Sequence, residues 1–185
     1  MKRSVSPFLA FAALAAADAH GAGGFTLSSP DIADGATIDM KHVYDSFGCT
    51  GGNLSPALAW SDPPAGTKSF AVLAHDPDAP TGGAGFWHWL VVDIPADVRS
   101  LKQGAGDASG KALPAGAQML ENDFGEKSYG GPCPPPGAPH RYIFTVYALG
   151  VEKLGDAAHG RTAIAGFTIN QNARAKASIT GLFGR

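Results

Sequence analysis

Charge is scarce in this chain. Only 16% of its residues are Asp, Glu, Lys or Arg, and the formal net charge is −2. There is no basic block, which excludes the electrostatic footprint of a nucleic-acid binder and the polybasic patch of an anionic-membrane binder. After the first 20 residues no apolar run approaches the length of about 20 that a membrane helix needs, so no integral membrane segment is expected in a mature chain. Cysteine is rare as well, with Cys49 and Cys133 alone. Neither has a C-x-x-C partner, which argues against a thiolate metal site. The G-x-S-x-G, P-loop and H-E-x-x-H patterns are absent, and with them the usual sequence marks of a serine hydrolase, a nucleotide phosphatase or a zinc protease. No internal repeat or heptad is present.

What the chain has in abundance is glycine and proline, 25 and 14 residues, beside 44% apolar content. Without a repeat period, that mixture reads as many turns between short strands. A length of 185 residues fits one domain with a proper core, burying roughly 70% of the surface its unfolded chain exposes. The first residues read as a secretory signal. Lys2 and Arg3 supply the basic start, Phe8 to Ala17 the apolar stretch, and Ala17-Asp18-Ala19 the small-x-small cleavage site. We therefore expect a signal peptide over residues 1–19, a single domain over 20–185, and a periplasmic or secreted protein. In an oxidising compartment the two cysteines most simply form one disulfide, which would tie two distant loops and stabilise by roughly 4 kcal/mol. Two free thiols are the alternative.

Three apolar runs, Ser69 to Ala74, Phe86 to Ile94 and Tyr142 to Leu149, read as strands covered on both faces. Phe25-Thr26-Leu27, Thr37 to Met40 and Ala57 to Trp60 read as shorter strands. Gly48 to Pro56 reads as a loop, and Gly104 to Gly116 as a long excursion. Thr162 to Ile179 is the best helix candidate, with a stripe of Ile164, Phe167, Ala175 and Ile179. The expected fold is mainly β and mostly antiparallel, with minor helix that includes one helix near the C-terminus.

Two segments carry the chemistry. His75-Asp76-Pro77-Asp78-Ala79-Pro80 is followed by Trp87-His88-Trp89, and Tyr129-Gly130-Gly131-Pro132-Cys133-Pro134-Pro135-Pro136-Gly137-Ala138-Pro139 by His140-Arg141-Tyr142. Two-residue spacing puts Asp76 with Asp78, and His140 with Tyr142, on common faces of extended chain. It sets His88 opposite Trp87 and Trp89, and sends Arg141 away to pair with an acid. Glycines 130, 131 and 137 would let backbone N–H groups approach an anion. Imidazoles, a phenol and N–H groups suit a phosphate or carboxylate. The carboxylates fit if they hold the histidines cationic, or if the ligand also carries an ammonium.

These two segments resemble the signature regions of the phosphatidylethanolamine-binding protein family, closest to its bacterial Raf-kinase-inhibitor-like branch. The stretch Phe47 to Trp60 resembles that branch too, and the likeness covers roughly residues 25 to 183. It implies two antiparallel sheets and an anion pocket at one end of the larger one. Carried over by position, the ligand-binding residues are Asp76, Asp78, His88, Gly131, Pro134, Pro135, His140 and Tyr142. Cys133 stands where many eukaryotic relatives have Gly, which fits a branch-specific bridge to Cys49. The segment Gly181-Leu182-Phe183 lacks the pocket-lining extension of some relatives.

The expectation is thus a binding protein for a small anion or phospho head group, with no catalytic residue, cofactor or metal. A protein partner held on the pocket rim is the alternative, since eukaryotic relatives inhibit kinases, although nothing in this chain points to a kinase. A metal-dependent hydrolase using His75, Asp76, Asp78, His88 and His140 is a third reading.

Overall fold

The computed structural model describes residues 24–155 and 161–185. The expected signal peptide at 1–19 lies outside them. Nine elements follow in chain order: β1 (Thr26–Ser28), β2 (Leu58–Ser61), β3 (Ser69–Asp76), β4 (Phe86–Pro95), β5 (Ser100–Leu101), β6 (Gln118–Met119), β7 (His140–Leu149), α1 (Thr162–Asn172) and β8 (Ala173–Phe183). One turn of 3-10 helix spans Met40–His42. The strands form a three-stranded sheet, β1-β2-β5, and a five-stranded sheet, β6-β4-β3-β7-β8. Every strand pairing is antiparallel.

The three long apolar runs become the centre of the large sheet, because each has apolar side chains for both faces. On one face Phe70, Val72, Val91, Phe144 and Val146 pack against Leu27, Leu58, Trp60 and Leu101 of the small sheet. On the other, Ala71, Leu73, Leu90, Val92 and Leu149 pack against Ala165 and Ile169 of α1. The sheet is thus a two-sided core, the arrangement that near-continuous hydrophobic strands require.

Two expected elements differ. The helix stops at Asn172, and Ala173 to Phe183 is an edge strand. The reason is a period of two in Arg174-Ala175-Lys176-Ala177-Ser178-Ile179: Arg174, Lys176 and Ser178 are exposed, and Ala175, Ala177 and Ile179 are covered. Ile164 and Phe167 do not form a core stripe; both are exposed, and α1 buries Ala165 and Ile169 instead. Thr37 to Met40 is not a strand. Thr37 makes one isolated parallel bridge to Leu182, and the chain then turns into the 3-10 helix.

One irregularity places the site. Ala74 pairs with Trp89, yet His75 pairs with Trp87, so His88 is an extra residue in β4. Such a bulge re-aims a side chain and is common beside functional sites. It turns His88 to the same face as Trp89, which is core, while Trp87 packs on His75 across the other face. Simple alternation put His88 opposite both tryptophans; the bulge makes that true of Trp87 only. The carbonyl that the bulge leaves without a ladder partner accepts from Gly130 N–H at 3.0 Å and from the Asn122 amide at 3.2 Å.

Candidate functional site

The strand ends bring the two signature segments together at one end of the large sheet. β3 finishes at Asp76 where β7 begins at His140, and the register of His75 with Ile143 sets Asp76 beside Tyr142. Asp76 is 3% exposed. Its Oδ1 accepts from the Asp78 N–H at 2.8 Å, and its Oδ2 accepts from His140 Nδ1 at 2.8 Å. A buried carboxylate needs such donors, and His140 in turn gains a fixed ring orientation. The Tyr142 hydroxyl is buried above them with no well-formed hydrogen bond. Burial first, and the Asp76 charge second, push its pKa above the ordinary 10.

His88 completes the floor. Its ring stands edge-on to Tyr142, centroids 5.1 Å apart. Its Nδ1 lies 2.8 Å from the Gly130 carbonyl, which fixes the proton there and leaves Nε2 as an acceptor. Burial pulls its pKa from 6.5 down to about 4, against the opposing influence of that carbonyl and of Asp76. The carboxylates therefore do not hold this imidazole cationic. The sign of the linkage is clear. Below pH 6.5 the unfolded chain takes up a proton that folded His88 refuses, so stability falls as pH drops towards 4. The full loss is about 3 kcal/mol. Urea midpoints at pH 7, 5.5 and 4 should show this slope in the wild type and a shallower one in His88→Gln. Equal slopes would refute a neutral buried ring.

Asp76, His88, Pro134, Pro135, His140 and Tyr142 all line one cavity of about 490 Å³. Two expected residues do not. Asp78 is bound instead by Arg141, through Nε and Nη2 at 2.9 and 2.7 Å and through the Arg141 N–H at 2.9 Å. Those bonds hold its pKa down at about 2. The two carboxylates part company because β3 ends at Asp76 and the chain turns, so period-two alternation stops there. Gly131 lies behind the cavity wall. Its N–H donates to Asn53 Oδ1 at 2.8 Å, and a Cβ on it would stand 2.2 Å from the His42 carbonyl oxygen. Gly130 and Gly137 also spend their N–H groups within the protein, on His88 and Arg185 carbonyls. The expected glycine N–H cradle is therefore not there. Across Pro132-Cys133-Pro134-Pro135-Pro136 only Cys133 retains an N–H, and Cys133 lines the cavity.

Cys49 and Cys133 are disulfide-bonded, with Cα atoms 6.0 Å apart. The bridge joins the Ser46–Cys49 loop to the proline run and so fixes the cavity mouth. His75 points to the opposite face, against Trp87, with ring centroids 4.2 Å apart. Among the described residues no three His, Cys, Asp or Glu side chains converge as a metal site.

Several lining residues escaped the sequence reading. Phe47, Phe86 and Phe124 form an aromatic wall. The one signal for Phe124 was a large apolar residue inside an otherwise polar turn. Arg185 also reaches the cavity, its Nε donating to the Pro134 carbonyl at 2.6 Å and its Nη1 to the Gly48 carbonyl at 3.2 Å. Nothing in its sequence context marked it; the segment after Gly181-Leu182-Phe183, read as lacking a pocket-lining extension, still brings Arg185 to the cavity.

Residues 28–184 match the family profile described as phosphatidylethanolamine-binding protein. The chain belongs to the phosphatidylethanolamine-binding protein family. It is 46% identical over 181 residues to YbcL of Escherichia coli, covering 97% of this chain and 94% of that one. It is 48% identical to E. coli YbhB, covering 85% and 98%. The crystal structure of YbcL, described as a member of the mammalian family, superposes with a TM-score of 0.85 at 47% identity and covers 88% of this chain and 99% of that chain. LppC of Mycobacterium tuberculosis, named as a lipoprotein, is 38% identical over 85% of this chain and 71% of its own. Membership supports a binding-protein role.

Proposed function

We propose that this chain is a non-enzymatic binding protein whose pocket takes a small anion, a phosphate or a phospho head group. The observation that carries the reading is the convergence of Asp76, His88, His140 and Tyr142 on the floor of one open cavity. There Asp76 Oδ2 accepts from His140 Nδ1 at 2.8 Å, beside the Tyr142 ring. The His140 ring and Cys133, which keeps the one N–H of the proline run, line the same cavity. Asp76 and the His88 Nε2 acceptor favour a ligand that also donates, such as a phospho-ammonium head group.

A non-enzymatic role draws support from the absence of an activated nucleophile among the lining residues. The Thr81 hydroxyl is spent on the Gly85 carbonyl at 2.9 Å, and Cys133 is in the bridge. Location in the cell envelope draws support from the disulfide, from the signal-like first residues and from LppC. The second reading is a protein partner seated on the rim; exposed Phe47 at the mouth favours it. Trp89, buried in the core, gives it nothing.

Calorimetric titration of the oxidised protein with phosphate, phosphoethanolamine and zinc tests the proposal. Both phosphates should bind, phosphoethanolamine more tightly, and His140→Ala should weaken both by about 10- to 100-fold, the value of one charge-assisted hydrogen bond. Zinc bound tightly with no anion uptake would sink the reading and revive the hydrolase.

A further inference from the structure

The large sheet has two edges, and they are not alike. β6 is two residues long, which leaves little backbone to pair. β8 runs for 11 residues and has β7 on one side only. The second half of its outer side is taken. The Thr180 carbonyl accepts from Gly35 N–H at 2.7 Å, and the Thr180 N–H donates to Asp34 Oδ1 at 2.7 Å. Leu182 donates to the Ala36 carbonyl and accepts from Ile38 N–H, each at 2.8 Å. Thr180 and Leu182 thus turn their backbone groups outward, and alternation along the strand turns those of Lys176 and Ser178 the same way. Among the described residues no backbone hydrogen bond closes on that outer side of Lys176 or Ser178.

The open stretch lies at the far end of the sheet from the cavity, since Ala173 pairs with Leu149 and Phe183 with His140. Arg174, Lys176 and Ser178 are exposed, while Ala175 and Ala177 are half-buried and Ile179 is buried. Neither Arg174 nor Lys176 is ion-paired among the described residues. A strand laid along this edge therefore meets two unpaired cations on its exposed side and small apolar side chains on the covered one. A second copy of β8 does not suit it. Asp34 and Gly35 already occupy the edge at Thr180, so two antiparallel copies clear each other only with Lys176 opposite Lys176 or Arg174. Like charges placed directly opposite destabilise a strand pair.

We propose that the β8 edge over Arg174–Ser178 is a docking strand for an extended segment of a partner protein in which acidic and apolar residues alternate. Bonds to the Lys176 and Ser178 backbone give that segment its hold, and acids opposite Arg174 and Lys176 give it selectivity. The same lysine accounts for an open edge that does not self-associate. It repels another copy and costs an apolar strand its burial, and it admits a chain that brings the counter-charge. A partner here leaves the cavity mouth free, so the surface stands or falls apart from the anion pocket.

Amide hydrogen exchange followed by NMR on the oxidised protein tests this. A short peptide of alternating Glu and Val, in excess, should slow exchange at Lys176 and Ser178 by about tenfold. Ala175 and Ala177, whose N–H groups face β7, should not change. The matching peptide of Lys and Val should bind about tenfold more weakly, and Lys176→Glu should reverse that preference. Ser178→Pro removes an outward N–H without breaking a backbone bond to β7, a change that edge strands tolerate. It should abolish the protection at Lys176. Equal protection by the two peptides overturns the acidic partner. Protection by neither overturns the docking strand. Protection that rises with protein concentration in the absence of peptide gives the edge to a second copy and overturns the proposal as well.

Discussion

Replacing Cys49 and Cys133 together by Ser is expected to lower the free energy of unfolding by about 4 kcal/mol, as reduction should in the wild type. The bridge spans a sequence separation of 84 residues. Joining residues so far apart removes much of the freedom of the unfolded chain, and the effect grows only slowly with further length. The folded state should lose order only locally. Ser46–Cys49 would part from the proline run, while Tyr44 N–H still donates to the Pro132 carbonyl at 3.0 Å and Gly51 N–H to the Tyr44 carbonyl at 2.9 Å. Urea unfolding with and without reductant measures this directly. A difference below about 1 kcal/mol would mean that the reduced unfolded chain already holds these loops together.

The second large effect is expected at Gly131. An added methyl would stand 2.2 Å from the His42 oxygen, 2.5 Å from the Tyr44 nitrogen and 2.7 Å from the Val43 carbonyl carbon. All three are backbone atoms, so no side chain can swing aside to make room. Gly131→Ala should cost about 3 kcal/mol or more. It should also weaken anion binding, because the Gly131 N–H to Asn53 bond seats one signature segment against the loop of the other cysteine. Gly24→Ala is the matched control. Nothing lies within 4 Å of a Cβ there, and its effect should stay within about 0.5 kcal/mol. Equal denaturation midpoints for the two variants would show that the 40–44 segment yields easily.

Much of this was legible in the sequence, and the reasons for the rest are physical. The three central strands could be read because burial on both faces leaves a continuous apolar run in one segment. Pairing of Arg141 with an acid followed from alternation inside β7, which holds from its first residue. Alternation failed where pairing between strands, rather than residue order, decides. The bulge at His88 exists only in the match of β3 to β4, and no feature of Trp87-His88-Trp89 alone reveals it. Of the glycines in the second segment, read as bringing N–H groups to a ligand, Gly131 is a place of close approach, while Gly137 has nothing within 4 Å of a Cβ. What approaches Gly131 is the protein's own backbone, the 42–44 segment, and its N–H goes to Asn53. The helix was drawn too long because alanine at 175 and 177 suits either period, and only Arg174, Lys176 and Ser178 between them mark the strand. Phe47 and Arg185 are far apart in sequence and meet through the disulfide and the Arg185 bonds to the Pro134 and Gly48 carbonyls, none of which residue order reveals.

The link between the two ends of the described chain has a consequence for the order of events in folding. Gly35 N–H donates to the Thr180 carbonyl, Ile38 N–H to that of Leu182, and Leu182 N–H to that of Ala36. Ile32 and Ile38 sit in the same core as Ile179. A chain emerging from a ribosome or a translocation channel N-terminus first holds these early residues without partners until residues 179–182 have followed. Contacts of such long sequence separation form slowly and leave apolar surface uncovered in the meantime. The floor of the pocket waits too, since Asp76 must find His140. The Asp76–His140 pair forms once β7 has followed, and a chain cut short before β8 would leave β7 as an open sheet edge.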